Sequence, residues 1–387
     1  MKKIISFFIA IMLIVSTIFG IHMYAIENIK SNSDEFGRWI STKKDLSYKA
    51  ISSNIDSNTF LMLGSSEFHH GKNKAYHPSQ IFRETNMDVM CIGAAKNQSL
   101  SHAITLAAIA PKLETKKVLI LLSPSWFSKN GIDKAGFTAR FSESNYLAML
   151  DNKCLSDDLI NRISTRTQEV LDDNMSVYDR IKSIGATNNK TVSLKAQILN
   201  KIHKVVLSER ELVSVGLTWA KHNHLTKNFE ASSSGVVPDW KALEKKYEAE
   251  FLKEADNEFY IRNNLYVKEV FPMIKERKDA DANRTYGKSP EYKDLELLLD
   301  VCKESGIEAH LLLLPVNGYW YDYTGFPKEN REIIVEKIND ISVKYNVQFT
   351  SLFDECYTPG FLEDIVHPAG KGWIRINEKA YEFFKKS

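Results

Sequence analysis

Short apolar runs recur along the chain, and stretches with helical spacing lie between several of them. Five runs are aliphatic or β-branched and end at glycine, proline or polar residues, which is typical of buried strands. They cover residues 59–63, 88–92, 117–123, 308–314 and 347–352. Helical spacing occupies residues 101–113, 291–305 and 329–345. This alternation predicts an α/β fold with a mostly parallel sheet covered by helices on both faces. The pattern does not determine the order of the strands.

The alternation stops between about residue 140 and residue 290, where Lys, Glu, Asn and Ser are frequent and no strong strand pattern occurs. We interpret this region as a helical insertion into one α/β domain that covers residues 58–387. A chain of 387 residues is long enough for one large domain with insertions or for two modest domains.

The first 26 residues form a separate segment. Residues 4–21 contain no charged side chain and the apolar character continues to about residue 26, which is long enough to span a bilayer. Lys2 and Lys3 precede the span, so the positive-inside rule predicts a cytoplasmic N-terminus and an extracellular body on the cell membrane. A cleaved signal peptide is the alternative. If a signal peptidase cut near Ala25, Met23 would occupy the −3 position, which makes a poor cleavage site. This favours a retained anchor. Residues 27–57 are polar and are predicted to form a stalk.

Composition excludes several classes of function. The formal net charge is +2, and the chain has no polybasic signature of a nucleic-acid-binding protein. The cysteines are widely spaced and form neither a CxxC motif nor a zinc pattern; they are Cys91, Cys154, Cys302 and Cys356. We therefore expect no catalytic cysteine, no metal and no cofactor.

The first predicted strand ends in a small-residue turn that could carry chemistry. Ser66 lies in the run Gly-Ser-Ser-Glu at residues 64–67, where the carboxyl edge of an α/β sheet would be. A serine nucleophile needs an imidazole base and a carboxylate that orients the imidazole. Asp364 and His367 are three positions apart and supply both groups. A helix that begins after Ser66 would offer N–H groups to an oxyanion. Spacing alone leaves an alternative open. Ser65 and Ser66 could simply cap a helix, and an acid three positions before a histidine is a common pattern.

Other candidate residues have simpler explanations. His69 and His70 lie one turn past Ser66, and His222 and His224 lie in the helical insertion. No third and fourth metal ligands can be assigned to them, so we interpret them as exposed histidines. Trp126 and Trp320 follow the third and fourth strands, where they could line a substrate cleft or pack a loop.

The order of these motifs resembles that of the SGNH/GDSL-type hydrolases. The matching features are Ser66 after the first strand, Gly93 after the second, and the acid and base on the last loop. This resemblance implies a three-layer, flavodoxin-like SGNH-hydrolase fold with the helical insertion and one transmembrane helix added to it.

A closer resemblance, nearly end to end, is to the DltD family of D-alanyl-lipoteichoic acid biosynthesis proteins of Gram-positive bacteria. It rests on the N-terminal anchor and on short runs at residues 64–67, 92–93, 98–100, 122–127, 315–325, 364–367 and 370–373.

The resemblance implies roles for individual residues. It makes Ser66 the nucleophile, His367 the general base, Asp364 its orienting acid and Gly93 an oxyanion donor. The chain departs from the superfamily at Ser65, where an aspartate is usual. The asparagine of its third block is also missing, because Ser123-Pro124 occupies that region; Asn97 or Gln98 could replace that amide or could tie down the loop.

The resemblance also implies a function. The expected reaction is transfer of a D-alanyl group to lipoteichoic acid at the outer face of the membrane, through an acyl-enzyme on Ser66. A membrane-bound O-acyltransferase of the same pathway would be the partner. Three alternatives remain: an extracellular O-acetyl esterase acting on cell-wall polysaccharide, a thioesterase acting on D-alanyl carrier protein, and a non-catalytic scaffold that presents the acceptor.

Overall fold

Five parallel strands form the centre of the molecule. The computed structural model describes residues 2–30, 33–85, 87–188, 194–226 and 235–385. The strands are β1 (Thr59–Leu63), β2 (Asp88–Ile92), β3 (Lys117–Leu122), β4 (Glu308–Leu313) and β5 (Gln348–Ser351). Their order in the sheet is β2-β1-β3-β4-β5, with every neighbouring pair parallel. The predicted α/β fold with a parallel sheet is therefore confirmed.

The strand order creates a natural place for a site. β1 pairs with β2 on one side, where Leu63 lies opposite Ile92, and with β3 on the other, where Leu63 lies opposite Ile120. After β1, the chain adds β2 on one side of β1 and later adds β3 on its other side. In open α/β sheets, the crevice at the carboxyl ends of such strands is the usual binding position.

Side chains of the strands alternate between two buried layers. Leu61 and Leu63 of β1 belong to the larger apolar cluster on one face. Phe60 and Met62 belong to a second cluster on the other face. All five residues of β1 are buried, as expected for a parallel strand covered on both faces. A one-residue shift in register would exchange the two sets of side chains, so packing fixes where β1 ends.

The helices before β3 and after β4 have clear bounds. The N-terminal helices are α1 (Lys2–Lys30), α2 (Ser33–Arg38), α3 (Thr42–Asp45) and α4 (Tyr48–Ser52), followed by α5 (Pro78–Ile81) and α6 (Ser99–Ile109). After β4 come α16 (Gly318–Tyr323), α17 (Lys328–Tyr345) and α18 (Gly370–Lys385). A four-residue 3₁₀ helix, Ser66–His69, directly follows the turn after β1.

A long helical region separates β3 from β4 in sequence. It comprises α7 (Lys134–Arg140), α8 (Glu143–Leu150), α9 (Asp157–Val170), α10 (Ser176–Asn188), α11 (Leu194–Thr226), α12 (Trp240–Phe251), α13 (Asn263–Leu265), α14 (Ile274–Arg277) and α15 (Glu291–Glu304). No strand occurs between β3 and β4 in the part of the chain that the structure describes. α15 packs against α6, so the end of this region returns to the face of the sheet.

The N-terminal helix α1 has the character of a membrane span. Residues Lys3–Ile29 are long and apolar enough to cross a bilayer, and the most apolar window is not buried in the protein. The predicted apolar helix is confirmed. The following helices α2 to α4, in the segment predicted as a stalk, pack on the body: Phe36 and Ala50 are completely buried.

Candidate active site

The turn after β1 presents Ser66 and ties down its neighbours. Gly64 allows a tight turn, since a Cβ there would lie 2.4 Å from Glu67 Oε1. The Ser65 N–H donates to Glu67 Oε1 at 2.6 Å, and the Ser65 hydroxyl donates to the Ala94 carbonyl at 3.1 Å. Ser66 begins the 3₁₀ helix and is only half-buried. The turn therefore fixes Ser65 and leaves the Ser66 hydroxyl facing the crevice.

The structure brings the three predicted catalytic side chains together. Ser66 Oγ lies 2.8 Å from His367 Nε2. On the other side of the ring, His367 Nδ1 lies 2.6 Å from Asp364 Oδ2. These distances join hydroxyl, imidazole and carboxylate in one hydrogen-bonded chain, which is the geometry of nucleophile, base and orienting acid.

Hydrogen bonds to the Asp364 carboxylate stabilise the loop that carries Asp364 and His367. Asp364 Oδ1 accepts hydrogen bonds from the N–H groups of Val366 and His367, both at 2.8 Å. The carboxylate therefore holds the backbone of the loop with one oxygen and the imidazole with the other. The loop is also anchored outside itself, because the Asn317 N–H donates to the Ile365 carbonyl at 2.9 Å.

Electrostatics favour an ionised Asp364 beside a basic His367. Burial alone would raise the pKa of Asp364, but hydrogen bonds and the charge of His367 outweigh burial and hold the pKa below its ordinary value. Burial alone would lower the pKa of His367, but the hydrogen bond and charge of Asp364 outweigh burial and raise the pKa. A base stronger than ordinary histidine, hydrogen-bonded to a serine, is suited to removing the hydroxyl proton.

A second histidine, His70, lies against the first. The rings of His70 and His367 stack at 3.7 Å between centroids, with an interplanar angle of 9°. His70 Nδ1 in turn lies 2.7 Å from Glu363 Oε1. The sequence interpretation treated His70 as an exposed histidine and missed this contact. Its position four residues after Ser66 was the available signal, because a single 3₁₀ turn returns the chain to the crevice.

Glu363 connects this histidine to the helical region. Arg262 Nη2 lies 3.4 Å from Glu363 Oε2, and the Arg262 N–H donates to the Glu363 carbonyl at 2.9 Å. The Glu363 N–H donates to the His367 carbonyl at 2.8 Å. The segment before α13 thus supports the loop of the catalytic base from outside the sheet.

Gly93 lies beside the serine turn, with its N–H already occupied. A Cβ on Gly93 would lie 2.2 Å from the Gly64 carbonyl oxygen, so only glycine allows this contact. The Gly93 N–H donates to Asp45 Oδ2 at 3.1 Å. Asp45 is buried, and burial raises its pKa to about 7. Gly93 is therefore close to the site, but its N–H is directed at the N-terminal segment.

The helix expected after Ser66 is present and very short. It is a four-residue 3₁₀ helix rather than an α-helix, so its dipole is small. The first N–H groups of any helix have no partner within the helix. The Ser66 N–H, at the first position of this helix, is therefore a candidate donor to an oxyanion formed at Ser66.

The remaining predicted site residues serve the loops or the core in this structure. Gln98 Nε2 donates to the Trp126 carbonyl at 3.3 Å, which ties two loops together. Asn97 is buried, and its N–H donates to the Ala94 carbonyl at 2.9 Å. Trp126 and Trp320 are almost completely buried. The expected roles of Gln98, Trp126 and Trp320 in substrate binding stay predictions.

Three groups near the triad could offer ligand atoms to a metal ion. Ligand atoms of His70, Asp364 and His367 all lie within 4.8 Å of one another. The stacked rings are nearly parallel, however, and imidazole lone pairs lie in the ring plane. The two imidazole lone pairs therefore do not converge on one ion, which argues against a metal site formed by these three groups.

Comparisons with known proteins identify the family to which this chain belongs. The family model described as "DltD protein" matches residues 33–385. Protein DltD of Bacillus subtilis (strain 168) is 28% identical over 317 residues, covering 80% of this chain and 79% of the relative. Protein DltD of Staphylococcus aureus (strain NCTC 8325 / PS 47) is 27% identical over 327 residues, covering 83% and 80%. Protein DltD of Lacticaseibacillus rhamnosus is 25% identical over 334 residues, covering 84% and 77%.

Proposed function

The chain belongs to the DltD family, and from this membership we propose that it is a serine acyltransferase that carries D-alanyl groups to lipoteichoic acid. The observation that carries the proposal is the continuous contact from Ser66 Oγ through His367 to Asp364, at 2.8 and 2.6 Å. A non-catalytic scaffold would have no need of a serine activated in this way.

In the first half of the proposed reaction, Ser66 becomes acylated. His367 Nε2 takes the hydroxyl proton while Ser66 Oγ bonds to the carbonyl carbon of a D-alanyl ester or thioester. Asp364 stabilises the imidazolium that forms. The protonated His367 then gives its proton to the leaving alcohol or thiol, and the D-alanyl ester of Ser66 remains.

In the second half, the acyl group moves to the acceptor. A hydroxyl of lipoteichoic acid gives its proton to His367 and attacks the acyl carbon. The bond to Ser66 breaks, and His367 returns the proton to Ser66 Oγ. Attack by water in place of the alcohol would give hydrolysis. Transfer therefore requires the acceptor hydroxyl to attack the acyl carbon faster than water does.

The negative oxygen formed in both halves needs donors. The Ser66 N–H is one candidate. Gly93 remains the second under this proposal, with a condition: its N–H, which donates to Asp45 at 3.1 Å, must exchange that carboxylate for the oxyanion.

The proposal assigns the body to the outer side of the membrane. Lys2 and Lys3 precede the apolar span and favour a cytoplasmic N-terminus. With the body outside, the acceptor is the cell-surface polymer, and a membrane-bound O-acyltransferase would supply the acyl group across the bilayer. The thioesterase alternative would instead require the body on the side of the carrier protein.

The test is the D-alanine ester content of lipoteichoic acid in cells that carry Ser66→Ala or His367→Ala. We expect both variants to lose nearly all of the ester, because removal of a triad member typically costs about a thousandfold or more in rate. Ser53→Ala, at an exposed position outside the site, is the matched control. Wild-type ester content in the Ser66→Ala strain would exclude the mechanism and favour a scaffold.

A purified-protein assay separates transfer from hydrolysis. An activated D-alanyl ester is offered with and without glycerol phosphate polymer as acceptor. A transferase releases ester faster when the acceptor is present and forms the polymer ester. An esterase of the alternative kind hydrolyses acetyl and D-alanyl esters alike, with no acceleration by the polymer.

A further inference from the structure

The first half of α11 carries an exposed apolar stripe. Five large aliphatic side chains recur at spacings that place them on one helix face. Their exposed fractions are 49% for Ile198, 54% for Leu199, 54% for Ile202, 69% for Val205 and 59% for Val206. Such a contiguous exposed set is unusual on a water-soluble surface and marks a contact with something apolar.

The opposite face of the same helix is fixed to the body. His203 Nε2 lies 2.8 Å from Glu143 Oε1, and Lys204 pairs with Asp151. Leu207 is buried in the main apolar cluster. The stripe therefore cannot rotate inward to the core without breaking these contacts.

Contacts between α11 and α1 show where the stripe lies relative to the apolar span of α1. His22 Nδ1 lies 2.5 Å from Glu209 Oε1. Further along both helices, Ala25 packs against Gly216, where a Cβ on the glycine would lie 2.6 Å from the Ala25 Cβ. The two helices therefore run in the same direction. Residues of α11 before Glu209 point to the same side of the molecule as the apolar span of α1 before His22.

Charges flank the stripe as they do in helices that lie at a membrane surface. Lys201 and Arg210 are both exposed, and helical geometry puts them at opposite edges of the stripe. Long basic side chains can extend from an apolar surface to lipid headgroups. The exposed residues of α1 and the stripe therefore extend from the same side of the contact between the two helices, and lipid already has to cover the exposed residues of α1.

We propose that the first half of α11, residues 198–206, lies in the outer leaflet of the lipid bilayer beside α1. The bilayer, rather than a second copy or a partner protein, is the occupant, because the stripe adjoins a helix that itself requires lipid. The body would then be held by two membrane contacts instead of one, which restricts its tilt. This inference requires α1 to span the membrane and does not depend on the acyl-transfer reaction.

Depth-dependent fluorescence quenching tests the proposal on the full chain in phosphatidylglycerol-containing liposomes. Single cysteines replace Leu199, Ile202 or Val206 in a Cys154→Ser background, because Cys154 is the exposed native thiol among the described residues. Each is labelled with an environment-sensitive dye, and nitroxide-labelled lipids act as quenchers. Ile18→Cys in α1 is the positive control, and Lys221→Cys, about 18 Å beyond Glu209 along α11, is the negative control.

We expect quenching at Leu199, Ile202 and Val206 within about twofold of that at Ile18, and at least fivefold weaker quenching at Lys221. Adding Ile202→Asp and Val205→Asp should abolish quenching at Leu199, whereas Ile202→Leu and Val205→Leu should preserve it. Water-like emission at the three stripe positions, with Ile18 quenched, would overturn the inference. Apolar emission without quenching by the lipid nitroxide would also overturn it, in favour of a protein covering the stripe. Absence of quenching at Ile18 would instead show that α1 is not a membrane anchor.

Discussion

At the scale of single residues, the site depends on a short list of contacts around His367. One ring nitrogen meets Ser66, the other meets Asp364, and the ring face meets His70. Each contact has a separate physical consequence: proton transfer, basicity and orientation. Substitutions that remove one contact at a time should therefore have distinguishable effects.

Asp364→Asn should shift the pH dependence of acylation as well as its rate. His367 acts as a base only when neutral, so the rate rises with pH through the pKa of His367, which Asp364 raises above the ordinary value. Without the negative charge, burial dominates and this pKa falls. The acidic limb of the rate profile should move to lower pH, while the plateau falls by roughly 10³–10⁴. Pre-steady-state hydrolysis of an activated ester measures both quantities. An unchanged acidic limb would contradict the assigned role of Asp364.

His70 should act as a positioning residue for His367. Because an aromatic stack contributes about 0.5–1.5 kcal/mol and small displacements of a catalytic group are costly, His70→Ala should lower kcat about tenfold. His70→Phe keeps a flat ring without the bond to Glu363 and should recover much of the loss. KM should change little in either variant. A purely structural role predicts instead that the two variants lose thermal stability and activity in parallel.

At the scale of secondary-structure elements, buried charged groups join helices that are distant in sequence. Glu291, at the start of α15, accepts a hydrogen bond from the Ser99 N–H at the start of α6 at 2.8 Å. Burial, aided by the charge of Asp294, raises the pKa of Glu291 to about 8. The carboxyl group therefore supports the helix after β2 mainly in its neutral form near pH 7.

Glu291→Gln should make the stability of the protein less dependent on pH. Between pH 4.5 and about 8, the unfolded carboxyl group is ionised while the folded one keeps its proton, so stability falls as pH rises. Glutamine keeps an acceptor for Ser99 and removes this titration. We expect the variant to gain on the order of 2–4 kcal/mol relative to wild type between pH 5 and pH 9. Urea unfolding in detergent at the two pH values measures the difference.

Glu296→Gln is the matched control for that experiment. Glu296 lies on the same helix, and its side chain is 31% exposed in a surface pair with Lys344. This variant removes one carboxylate from α15 at a partly exposed position, and its stability is measured at the same two pH values. Parallel behaviour of the two variants would contradict a buried titration at Glu291.

At the scale of the whole molecule, the proposed topology puts the body on the outer side of the membrane. Under the proposed topology, protease added to intact protoplasts should degrade the body. A cytoplasmic protein serves as the control for protoplast integrity. Full protection of the body would reverse the assignment and favour action on the carrier protein inside the cell.

The positions of the strands and of the triad were largely predictable from sequence. All five strands lie within one residue of the predicted ranges at their starts and ends, because buried parallel strands are short apolar runs with polar boundaries. Local patterns, a hydroxyl after a strand and an acid three positions before a histidine, made Ser66, Asp364 and His367 candidates, and the resemblance to known families assigned their roles. The fold sets the distances between them, which are 2.8 Å from Ser66 Oγ to His367 Nε2 and 2.6 Å from His367 Nδ1 to Asp364 Oδ2.

Other features could be decided only by tertiary structure, because they join residues far apart in the chain. The strand order, the stack of His70 on His367, and the bond from Gly93 to Asp45 all depend on long-range packing. The apolar stripe of α11 indicates a membrane contact only because α11 packs against α1. Local sequence thus determined which segments are strands, which helix is apolar and which side chains can react, since these follow from neighbouring residues. The fold determined what each reactive group faces, since packing of distant segments sets its distance, burial and charge.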